Sequence, residues 1–214
     1  MTSESKHIER NRKKWDRWAK SLDSNSMRSR FLRDGQRRVV ELLELNEGDY
    51  FLDIGCGTGW AVRLAAETVN YHGFFYGVDL SEKMIERANQ NFEGKENFHF
   101  IKADSRAIPL DGGKFDAIIC THSFHHYIDP QAVVNEIYRL LKPGGKVFVL
   151  DPTVDSIFGR VIDIIIRFVQ PEHVKMYSTG EFMRFFEAAG LSYIRTETIR
   201  SVEKIHIGEK PNTR

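Results

Sequence analysis

Leu52-Asp53-Ile54-Gly55-Cys56-Gly57-Thr58-Gly59 is the stretch whose reading decides the fold. Apolar, strand-like residues stop at a glycine-rich turn, and Trp60-Ala61-Val62-Arg63-Leu64-Ala65-Ala66 begins a helix at once. A strand, a tight turn and a helix N-terminus bring backbone N–H groups and bare backbone close to a ligand. The glycines fall at 55, 57 and 59, and position 60 is Trp. A dinucleotide loop needs its third glycine at that position, so a nicotinamide or flavin dinucleotide site is disfavoured. Asp53 precedes the turn, where a carboxylate can receive a cationic ligand.

Working outward, the chain alternates strands and helices. The periodicity places strands at 50–54, 74–78, 98–102, 115–120 and 146–150, with helices near 59–68, 81–92 and 130–141. Alternation of this kind predicts an α/β fold, a parallel sheet with helices on both faces. Ser81 is positioned to cap the helix after the second strand. Ser178 with Glu181 forms a capping-box pattern opening a helix that ends before Gly190. Two further strands, near 191–199 and 202–208, complete the sheet. Ahead of the core, residues 8–22 and 28–45 read as helices, the second from Phe31, Leu32, Val39, Leu42 and Leu43.

Four later segments join the glycine turn in order: Gly77-Val78-Asp79-Leu80-Ser81, Lys102-Ala103-Asp104-Ser105, Phe115-Asp116-Ala117-Ile118-Ile119-Cys120 and Leu141-Lys142-Pro143-Gly144-Gly145-Lys146-Val147-Phe148-Val149. Over roughly residues 40 to 208 the set resembles a class I S-adenosylmethionine (SAM)-dependent methyltransferase, of the small-molecule, quinone-methyltransferase-like type 11 branch. The resemblance implies a Rossmann-like, seven-stranded, mostly parallel sheet with an antiparallel last strand. It also implies an N-terminal helical lid over residues 1–45 and a core over 46–214, with a cap insertion at about 151–178.

The same resemblance assigns a SAM site, with S-adenosylhomocysteine as product. Gly55, Gly57 and Gly59 would pass beneath the amino-acid end and ribose, and Asp53 would meet the α-ammonium directly or through water. Asp79 would accept from the ribose hydroxyls, since a carboxylate takes several donors. Leu80 would pack on the adenine, Asp104 would accept from its amino group, and the Ser105 N–H would reach a ring nitrogen. Trp15 or Trp18 would cover the sulfonium, where an aromatic face favours a cation.

Thr121-His122-Ser123-Phe124-His125-His126-Tyr127 follows the fourth strand, at the end of an open α/β sheet where ligands bind. Thr121 would border the cofactor. His125 and His126 are the candidate catalytic residues, because imidazole is a base near neutral pH. Adjacent histidines without a spaced ligand cluster make a poor metal site, so no metal is expected. Methyl transfer asks chiefly for alignment, and a base only where the acceptor must lose a proton.

Composition sets the remaining bounds. With 31 Lys and Arg against 30 Asp and Glu the chain is nearly neutral, yet residues 1–40 carry twelve basic and five acidic side chains. Such a leader suits an anionic partner, which keeps an RNA or protein methyltransferase in view. A SAM-binding interaction protein without catalysis is the third reading. The favoured one is an enzyme acting on a small acceptor, without nucleic acid. Only Cys56 and Cys120 are present, which fits a reducing cytoplasm rather than a disulfide framework. The apolar run 161–169 is interrupted by Asp163 and Arg167 and is far shorter than the about 20 residues of a membrane span. Residues 156–169 are apolar on most sides of a helix and are expected to pack under the N-terminal helices or to face a hydrophobic acceptor. These motifs are silent on the acceptor atom and the oligomeric state.

Overall fold

The computed structural model describes residues 3–22, 27–170 and 173–212. Seven strands form one sheet in the order β3-β2-β1-β4-β5-β7-β6. Strands β1 (Tyr50–Ile54), β2 (Phe74–Asp79), β3 (Phe98–Lys102), β4 (Phe115–Thr121) and β5 (Leu141–Pro152) run parallel. β6 (Ser192–Arg200) and β7 (Glu203–Glu209) form an antiparallel hairpin, and β7 inserts antiparallel beside β5. This is the Rossmann-like methyltransferase sheet that the motifs imply.

Period-two alternation splits each central strand between two apolar layers. Phe51, Phe75 and Ile119 meet α2 (Met27–Glu41), α3 (Trp60–Thr68) and α4 (Glu82–Asn91). Leu52, Ile118 and Val147 meet α5 (Pro130–Leu140) and α7 (Thr179–Ala189). Ser81 caps α4 by accepting from Met84 N, and Ser178 with Glu181 closes the capping box on α7. Gly190 ends α7 with φ +89°. β5 is longer than the pattern suggested: Leu141 already pairs with Phe115, and the Pro143-Gly144-Gly145 turn lies within the strand's span before pairing resumes at Lys146.

Two helices precede the core. α1 spans Ser3–Leu22, five residues earlier than its apolar pattern begins, and α2 stops at Glu41 rather than 45. α6 (Ile157–Val169) follows β5 and departs from expectation. It buries only Gly159 and Asp163, so its apolar side chains do not pack under α1 and α2.

Candidate functional site

The sheet order reverses between β1 and β4, the place where open α/β sheets bind ligands. A cavity of about 440 Å³ opens at this point. Its floor is the chain at or just past the parallel strand ends: Gly55 and Gly57 after β1, Asp79 and Leu80 at β2, Asp104 and Ser105 after β3, and Thr121, His122, Ser123, His125 and His126 at and after the end of β4. Ile8, Asn11 and Trp15 of α1 and Phe31, Arg33 and Gln36 of α2 complete the wall.

The glycine turn is built for close approach. Gly55 and Gly57 have φ of +81° and +54°, a region that side chains with a Cβ seldom enter. A Cβ on Gly55 would sit 2.6 Å from Ser123 Oγ. Gly57 N donates to Asp79 Oδ2 at 3.0 Å, and Ser81 N to Oδ1 at 2.8 Å, so two backbone donors hold Asp79 at the lip of β2. Burial raises its pKa to about 6 against the pull of those donors. Gly59 is a correction to the sequence reading. Its N–H is spent on Cys56 O, a Cβ there would meet Phe92 and Phe100, and it does not line the cavity. Its bareness lets α3 pack against its neighbours.

Asp53 is fully buried and does not line the cavity itself, so a direct contact with ligand is not its arrangement here. Neither carboxylate oxygen has a hydrogen-bond partner. Burial, reinforced by the charge of Asp79, raises its pKa to about 8. An orphaned buried carboxyl is costly in the ligand-free fold and ready to accept from a cation or a relaying water. Trp60, which stands where a dinucleotide loop needs its third glycine, lines the cavity with an unpartnered indole Nε1, and Arg33 stacks 4.3 Å above its ring.

The remaining predicted residues divide. Leu80, Ser105 and Thr121 line the cavity, and Thr121 Oγ1 accepts from Gln36 at 3.1 Å. Asp104 also lines it, but both oxygens accept from the Arg106 guanidinium, which lowers its pKa. Trp15 lies edge-on to His126, ring centroids 5.4 Å apart, so α1 reaches the segment after β4. The Trp18 side chain lies outside the described residues.

The histidines differ from one another. His125 Nδ1 lies 2.9 Å from Asp151 Oδ1 at the buried end of β5. Burial drives the Asp151 pKa well up, opposed by the backbone N–H groups of His125 and Phe124 and by the charge of His173. His126 packs between Trp15 and His125. His122 holds φ +52°, and burial lowers its pKa to about 3, so it is a neutral ring whose Nε2 has no partner. Sequence reasoning missed Asp151 and also His173, whose ring centroid is 5.3 Å from that of His125. The signal for Asp151 was its place after the fifth strand; nothing local marked His173. Among the described residues no cluster suits a metal ion.

A family model described as a methyltransferase domain matches residues 52–149. The chain is 27% identical over 201 residues to a demethylmenaquinone methyltransferase of Staphylococcus epidermidis, covering 83% of each protein. It is 28% identical over 204 residues to that of Staphylococcus aureus, covering 84% of each. Among solved structures, a chain of the complex between the Haloferax volcanii Trm112 activator and a methyltransferase superposes with TM-score 0.79 at 19% identity, covering 95% of this chain and 98% of that one. A SAM-dependent methyltransferase from Aquifex aeolicus gives 0.71 at 23%, covering 91% and 98%. Geranyl diphosphate C-methyltransferase from Streptomyces coelicolor, solved with S-adenosylhomocysteine, gives 0.67 at 15%, covering 83% and 76%. At these identities the structural likenesses speak to fold.

Proposed function

We propose, for a chain that is a class I SAM-dependent methyltransferase of the type 11 branch, that the acceptor is a small apolar molecule and that His125, oriented by Asp151, removes its proton. The observation that carries this reading is His125, on the wall of a cavity that Ile8, Phe31, Leu32, Ile166 and Met176 also line, with its ring paired to the buried Asp151 behind it. The demethylmenaquinone methyltransferases among its relatives support an acceptor with the apolar ring of a quinone.

The site residues suit the cofactor. The orphaned Asp53 carboxyl answers an ammonium, Gly55 and Gly57 leave room above the turn, and the unpartnered Trp60 N–H, with Arg33 beside it, answers a carboxylate. Asp79 receives the ribose hydroxyls, Leu80 the adenine face, and the Ser105 and Asp104 segment the adenine edge. Bound SAM supplies a methyl group on a sulfonium, already activated for transfer. Trp15 and the α1–α2 pair act as the lid, residues 151–178 as the cap, and closure excludes water from the aligned acceptor. Asp151 orients the His125 ring through Nδ1, and the ring takes the acceptor's proton. Neutral His122 offers a hydrogen bond to an acceptor oxygen.

Among the described residues no helix is long and apolar enough to cross a membrane. Two buried free cysteines suit a cytoplasmic enzyme. A labelled-methyl transfer screen with reduced quinones and matched polar acceptors tests the acceptor class, and exclusive use of polar acceptors overturns it. Calorimetric titration with SAM, repeated with Asp79→Ala, tests the cofactor site. Loss of the Asp79 bonds should weaken binding about 10- to 100-fold.

A further inference from the structure

A surface helix ordinarily turns its apolar stripe inward and its charges to water. α6 turns most of its apolar side chains outward. Its buried side chain is Asp163, whose Oδ1 accepts from Met176 N at 2.8 Å and lies 2.7 Å from His173 Nε2, while Oδ2 accepts from Arg167. Held by this polar seam, the helix turns Ile157, Phe158, Val161, Ile165, Phe168 and Val169 outward. Ile157 is 81% exposed and Phe168 84%. Packing cannot be the reason for these side chains, because the fold does not bury them.

The neighbouring helix supplies a charge pattern. Over residues 5–17 of α1 the exposed positions are Lys6, Arg10, Lys13 and Arg17, all basic and spaced to fall on one helix face. Lys14 Nζ donates to Gln170 Oε1 at 3.1 Å, joining α1 to the end of α6. An apolar helix beside a basic stripe has its match in an anionic bilayer, whose acyl region takes the phenylalanines and whose phosphates take the stripe. We infer that α6 and the basic face of α1 dock this protein onto an anionic lipid surface. Ile166 of α6 and Ile8 of α1 line the cavity from the opposite, inward faces of the same two helices. The docking does not rest on the apolar-acceptor reading.

Co-sedimentation of the full chain with phosphatidylcholine vesicles, with and without phosphatidylglycerol, tests the inference in the absence of SAM and acceptor. Strong binding to the anionic vesicles is expected, weakening with salt. Phe158→Ser and Phe168→Ser should each lower the partition coefficient about 10-fold. Replacing the four stripe residues with Gln should lower it about 5-fold per charge. Both phenylalanines are exposed, so the far-UV circular dichroism and thermal melts of the variants should match the parent protein and certify the fold. Absence of vesicle binding, or binding indifferent to the phenylalanines, overturns the inference. So does a dimer that the same substitutions dissolve while vesicles remain unbound, or a stripe that binds RNA and not lipid. The vesicle assay and the acceptor screen fail independently.

Discussion

The Ser81 hydroxyl donates to Asp16 Oδ1 at 2.6 Å while accepting from Met84 N at 3.2 Å. One side chain therefore caps α4 and ties α1 to the strand end that carries Asp79. Arg12 holds the other Asp16 oxygen at 3.1 Å, so the tie is anchored from both sides.

Asp16→Ala removes the tie and leaves the α4 cap intact. Global stability should change by no more than about 1 kcal/mol, the usual worth of one exposed or half-buried hydrogen bond. SAM should dissociate about 10-fold faster, because the α1 side of its cavity is loosened. Stopped-flow displacement beside thermal melts separates the two effects.

Asp53→Asn should make the ligand-free protein more stable and bind SAM less tightly. The native carboxyl holds its proton to about pH 8, whereas the unfolded one releases it near its ordinary value of 3.8. Between those values the native state binds more protons, so stability falls as pH rises. The amide cannot ionise, and its advantage should grow across that window and level off above it. Melts at about pH 5 and about pH 9 should differ in advantage by roughly 4 kcal/mol. An equal advantage at both would show that Asp53 ionises normally.

His125→Ala and Asp151→Asn should act on turnover rather than on cofactor affinity. Loss of a positioned base typically costs 10²- to 10⁴-fold in rate. kcat should fall by about 10²-fold or more in both variants, while SAM binding changes less than about 2-fold. An acceptor that is already deprotonated should escape most of the loss, which distinguishes a missing base from a collapsed wall.

Gly55→Ala should be poorly tolerated. Its φ of +81° costs an L-residue about 1–2 kcal/mol, and the new methyl would collide with Ser123 Oγ, which itself lies 3.0 Å from the Tyr127 hydroxyl. A lower melting temperature and loss of SAM affinity are expected. The double variant with Ser123→Gly should recover part of the stability.

Local sequence carried the frame. The runs from Phe51 to Ile54 and Phe115 to Cys120 are buried strands because, Asp53 and Asp116 apart, both faces carry apolar side chains, and Asp79 sits where its strand ends. What escaped notice depends on register across the sheet. Asp151 meets His125 because β5 lies beside β4, with Thr121 opposite Leu150, a relation invisible along the chain. The glycine pattern grouped Gly59 with its neighbours, although space behind it belongs to Phe92 and Phe100. Apolar content alone signalled that α6 needed a cover, but not that Asp163 would be its inward residue.

The bond from Asp16 to Ser81 spans 65 residues, and it has a temporal consequence. α1 leaves the ribosome before the strands, yet its docking partner is made only after β1, α3 and β2. The helix must wait undocked until β1 and β2 have assembled and brought Ser81 into place. The same hierarchy makes α1 a separate unit of opening, free to detach while the sheet stays folded. Amide exchange in α1 should therefore outpace that of β1 and β4, and SAM should slow it selectively.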